Sequence, residues 1–99
     1  MEGHASISAD VLSRYAADAA RGVPGVRSLV DRALPYRRGV KLESEGERVN
    51  VELRLAVDWG ASIPSVGRDV QQRVREYLEG MADVDAGTID VVVDEVGPP

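Results

Sequence analysis

In residues 49–59, VNVELRLAVDW, an apolar side chain takes every odd position. Val49, Val51, Leu53, Leu55, Val57 and Trp59 therefore fall on one side of an extended chain, with Asn50, Glu52, Arg54 and Asp58 on the other. A strand of this kind belongs to a sheet with one dry face and one wet face, and something apolar must cover the dry one. Its length predicts a strand that pairs on both edges or projects beyond its neighbours.

Two helices can supply the cover. In SADVLSRYAADAARG, Ser8 is placed to cap and Asp10 to meet the positive end of the helix dipole. Val11, Leu12, Tyr15, Ala16, Ala19 and Ala20 form one helical stripe, small enough to lie close on a sheet. In ASIPSVGRDVQQRVREYLEGM, Ser62 caps, Pro64 sits in the first turn, and Ile63, Val66, Val70, Val74, Tyr77, Leu78 and Met81 make the second stripe. GVRSLVD reads as a short strand, RALPYRR as a loop, and GVKLESE as a strand joined to the long one at Glu45-Gly46. TIDVVVDEV closes the fold, with Ile89, Val91 and Val93 on one face and GPP as a tail. The expected architecture is α+β, a mainly antiparallel sheet with both helices on one face. At 99 residues the chain is expected to be a single domain, 1–99, with flexible ends at 1–6 and 97–99.

The stretch ARGVPGV, residues 20–26, admits two readings. Gly22 and Gly25 between arginines resemble a loop that grips a nucleic-acid backbone, as in KH-type domains. They also suit a helix-to-strand corner, in which Gly22 ends the helix with a positive φ, Pro24 forbids its resumption and Gly25 lets the chain turn. The corner is the stronger expectation, because Gly25 runs into a strand rather than a second helix whose N-terminus could face phosphates.

Charge argues the same way. The net charge is −5, and the chain divides unevenly. Residues 1–41 carry seven basic and four acidic side chains, and residues 42–99 carry five basic and thirteen acidic. Polyanions are repelled by such a protein as a whole, so no nucleic-acid partner is expected. Arg37, Arg38 and Lys41 are the one local basic cluster and form the candidate interaction patch.

No catalytic set emerges. Cysteine is absent, and the lone His4 stands near the N-terminus, where nothing in the sequence fixes a general base. Asp94 and Glu95 are adjacent on a strand and point to opposite faces, while Glu43, Glu45 and Glu47 crowd a solvated hairpin. No phosphate loop, dinucleotide fingerprint or nucleophile elbow occurs. The chain is expected to be no enzyme and to need no cofactor or metal. The N-terminus lacks the basic and apolar regions of a signal peptide, and no apolar run approaches a membrane span. A cytoplasmic protein is expected.

These segments in this order resemble the alkaline shock protein family, bacterial cell-envelope stress response proteins. ISADVLSRYAADAARGVPGV is similar to the family's opening pattern, VNVELRLAVDWGASIPSVGRDVQQRVREYLEGM to its central signature, and VDAGTIDVVVDEV to its closing strand. Where relatives carry Thr-Gly after the helix methionine, this chain has Ala82-Asp83. The resemblance implies a non-enzymatic cytoplasmic protein that is held near the membrane by a membrane-anchored partner or self-associates. The expected function is thus a binding or scaffold module. The alternative is a small RNA-binding domain using the Gly22–Gly25 loop with Arg37, Arg38 and Lys41.

Overall fold

The computed structural model describes residues 8–98. The first helix, α1, spans Ala9–Arg21, with the Ser8 hydroxyl accepting from the Val11 amide. Four strands follow: β1 (Val26–Leu29), β2 (Tyr36–Arg37), β3 (Val40–Glu45) and β4 (Arg48–Val57). Helix α2 (Ile63–Met81) is capped by Ser62, and β5 (Asp85–Val96) closes the chain.

β4 is the axis of the sheet. One of its edges takes β3 antiparallel along its first half and β1 antiparallel along its second, with β2 outside β3. The other edge takes β5 along the whole strand, and this pairing is parallel. A parallel neighbour requires a crossover, which α2 provides. The long strand pairs on both edges, as its length predicts.

Val51, Leu53, Leu55 and Val57 meet Leu12, Ala16, Ala20, Val66, Val70, Val74 and Leu78 from the two helices in one continuous core. Leu53, Leu55, Val57, Val70, Val74 and Leu78 are wholly shielded from solvent. The α1 stripe is wider than its apolar spacing suggests, since Ser13 and Ala17 are also buried. Small side chains let α1 sit low on the sheet and against α2, where the Tyr15 and Tyr77 rings meet edge to face at 6.3 Å.

Five expectations need correction. Trp59 does not extend the dry face: β4 ends at Val57, the chain turns away through Gly60 (φ 86°), and Trp59 is 62% exposed. Ile63 and Met81, at the two ends of α2, are also exposed. The RALPYRR loop contains β2, joined to β3 by a two-residue turn in which Arg38 and Gly39 both have positive φ. That is the geometry favoured by the twist of a hairpin, and Arg38 is held in it by Asp10, 2.7 Å away at the start of α1. Gly97, expected in a loose tail, is buried and donates its amide to the Val57 carbonyl.

The fifth correction concerns the corner. Gly22 has φ −77° and ψ −6°, a right-handed conformation, and the positive φ falls on Gly25 at 96°. The reason lies on α2. Arg73 reaches across 54 positions of sequence and donates its Nε–H to the Ala19 carbonyl, doing in trans what a left-handed cap does locally. Gly22 and Val23 close the end with bonds to Ala19 and Ala20, and the chain reverses three residues later. At the end of α2, Asp83 itself adopts the left-handed conformation, φ 55°, so Ala82-Asp83 still terminates the helix without a glycine.

Candidate functional site

The wet face of the sheet carries the densest polar arrangement in the molecule. Alternation in β4 sends Glu52 and Arg54 to this side, the β3 register adds Lys41 opposite Glu52, and the β2 register adds Tyr36 opposite Lys41. The Tyr36 hydroxyl donates to Glu52 and accepts from Arg54 Nε at 3.0 Å. The Arg54 guanidinium lies 5.3 Å from the centre of the Tyr36 ring, and Lys41 Nζ 5.9 Å from it. Arg54 Nη1 donates to Asp94 Oδ1 at 2.9 Å, and Asp94 Oδ2 accepts from Arg32 Nη2 at 2.8 Å. Lys41 lies 3.8 Å from Glu52. Five charges thus alternate in sign along one line, Arg32, Asp94, Arg54, Glu52 and Lys41, with Tyr36 braced between the last three.

The array is set for structure. Arg32 holds the Asp94 carboxyl below its ordinary value of 3.8, first by hydrogen bonding and then by charge, with Arg54 adding to it and partial burial opposing. A carboxylate with a depressed folded-state pKa contributes stability that is present above pH 3.8 and lost as pH falls through the lowered value. Asp94→Asn is expected to be less stable than the parent at neutral pH and to converge with it in acid. Urea midpoints at pH 7 and at about pH 3 would show this; a constant gap between the two proteins would place the acid sensitivity elsewhere.

The candidate basic patch is not one surface. Arg37 pairs with Val40, whose side chain is in the core, so it lies on the helix side, near Ala9, Ser13 and Leu42. Lys41 lies on the wet face against Glu52, and Arg38 is bound to Asp10. Two cations of the first half of the chain, Arg32 and Lys41, pair with Asp94 and Glu52 of the acidic half. The loop from Gly22 to Gly25 packs on α2 through Arg73 and Val66, and Pro24 lacks an amide proton. His4 lies outside the described residues. Among the described residues no group of three or more His, Asp or Glu side chains could hold a metal ion.

One feature was not legible as a site. The end of the sheet where β4 and β5 finish and α2 begins exposes Trp59, Ile63 and Val96, at 62%, 43% and 48%. Three large apolar side chains at one end of so small a domain make that end a candidate interaction surface.

A family model described as alkaline shock protein 23 family, cell envelope-related function, matches residues 1–98. No curated protein matches the chain. Among solved structures it is similar to the MamM CTD, with 15% identity and a TM-score of 0.61 over 89% of this chain and 99% of that one. A histidine-to-alanine variant of the MamM CTD gives 15% identity and 0.62 over 92% and 100%. A methionine-to-leucine variant gives 17% and 0.59 over 88% and 95%. At such identities the likeness is one of fold, a small α+β domain. No helix among the described residues is long and apolar enough to cross a membrane.

Proposed function

The chain belongs to the alkaline shock protein 23 family, of cell envelope-related function, and on that premise we propose that it is a non-enzymatic cytoplasmic scaffold that self-associates or docks on a membrane-anchored partner. The observation that carries the reading is the apolar end formed by Trp59, Ile63 and Val96. Trp is the side chain whose burial at an interface returns the most energy, and its position beyond the last strand pairing lets it reach a second surface. The paired charges of the wet face support the same view, because each of its three cations is bound to one or both of two carboxylates, which leaves little free charge to direct a small charged substrate.

Light scattering across protein concentration and ionic strength tests the proposal. The parent chain is expected to assemble, and Trp59→Ser to move the transition to at least about tenfold higher concentration. A parent chain that stays monomeric throughout would remove self-association; capture of the parent but not Trp59→Ser on solubilised host membranes would then leave partner docking. RNA binding has no comparable support, since Arg37, Arg38 and Lys41 lie on different surfaces and two of them face carboxylates.

A further inference from the structure

β5 is a long outer strand. Among the described residues it pairs with β4 alone, so its far edge carries the amides and carbonyls that another strand would use. The first part of that edge is already occupied by side chains of α2. Arg75 donates to the carbonyls of Ala86 and Gly87, both at 2.8 Å, and Gln71 donates to the Ile89 carbonyl at 2.9 Å. The two elements run in opposite directions across the crossover, so moving back along the helix means moving forward along the strand. The next residue in this row is Arg68, one turn before Gln71, and it stands beside the strand where the side-chain cover stops. Arg68 is exposed and makes no ion pair among the described residues; its one hydrogen bond, 3.5 Å to Ser65 Oγ, lies within its own helix.

Between helix and strand runs a groove of about 640 Å³ lined by Arg68, Gln71, Gln72, Arg75 and the β5 segment from Thr88 to Asp90. The helix wall consists of hydrogen-bond donors at helical spacing, two of them cationic, and includes no carboxylate. The only acid in the lining, Asp90, is on the strand wall. An extended segment laid in such a groove adds to the sheet through its backbone and turns alternate side chains towards the helix. Those side chains meet Arg68, which is unpaired among the described residues and favours a carboxylate, whereas Arg75 is already held by the Ala86 and Gly87 carbonyls and lies 3.8 Å from Glu79.

We propose that the edge of β5 beyond Ile89 takes an extended peptide as an added strand, with a carboxylate of that peptide on Arg68. The inference goes beyond the scaffold reading and does not depend on self-association, since binding is read on single residues of β5.

The test uses the full chain, isotope-labelled, and a capped octapeptide of alternating Glu and Val. Backbone amide shifts are expected in residues 90–96 together with the side-chain amides of Gln71 and Gln72. Arg68→Glu is expected to weaken binding about tenfold while leaving the rest of the spectrum in place. The same peptide with alternate backbone nitrogens methylated is expected not to bind, because it cannot complete a ladder. Replacing Glu by Lys in the peptide is expected to weaken binding at least as much as Arg68→Glu does. Absence of shifts in residues 90–96, equal binding by the methylated or lysine peptide, or unchanged affinity in Arg68→Glu would each overturn the proposal.

Discussion

Leu53→Ala is expected to destabilise the protein by about 2–5 kcal/mol, the range for truncating a buried leucine whose cavity cannot collapse. Leu53 is wholly shielded and sits on the central strand, paired with Val40 on one side and Val91 on the other. Backbone pairing on both edges prevents β4 from moving into the space, and the helices above are fixed by their own contacts. For a domain of this size each kcal/mol corresponds to about 4–8 °C, so a fall in midpoint of at least about 8 °C is expected in a thermal melt. Against a total stability of about 5–15 kcal/mol, a loss of this size leaves a substantial unfolded fraction only if the parent lies at the low end of that range. Leu42→Ala, on the same face but only half-buried, should lose much less. Equal losses at the two positions would mean that the core is not centred on β4.

That centring was readable from the alternation in residues 49–57, and both helices from their caps and stripes, because these are local patterns enforced by burial. Local pattern failed where position is set by a distant group. Trp59 continues the odd-numbered alternation, but nothing in the alternation tells where β4 stops. The turn at Arg38 and Gly39 depends on an ion pair to Asp10, 28 residues earlier, and a positive φ at arginine is not a sequence signal. The wet-face array was invisible for the same reason. Its Arg32–Asp94 and Tyr36–Glu52 contacts require the register of three pairings, and Asp94 in particular reaches Arg54 next to a shift in the β4–β5 register. The donor row on α2 is visible as Arg68, Gln71, Gln72 and Arg75 at helical spacing, yet its meaning comes from the strand edge beside it, which the sequence does not announce.

Within the ARGVPGV corner, Gly25 and Gly22 are expected to behave oppositely. At Gly25 the φ of 96° is outside the range comfortable for any side chain, and an added Cβ would lie 2.7 Å from Val66 Cγ2. Val66 is buried near the start of α2 and cannot swing aside. Backbone strain of about 1–3 kcal/mol and overpacking of about 1–3 kcal/mol act together, so Gly25→Ala is expected to cost about 2–6 kcal/mol. At Gly22 the backbone is right-handed, where alanine is the better residue by about 0.5–1 kcal/mol. The obstacle there is the Arg73 guanidinium, 3.0 Å from the added Cβ, which is the far end of a flexible side chain. Shifting it weakens the bond to the Ala19 carbonyl, worth about 1 kcal/mol. Those two effects nearly cancel, and Gly22→Ala is expected to stay within about 1 kcal/mol of the parent. Thermal melts of the two variants decide the matter. A larger loss at Gly22 than at Gly25 would mean that the helix ends in a left-handed glycine after all, and that Arg73 is not what closes it.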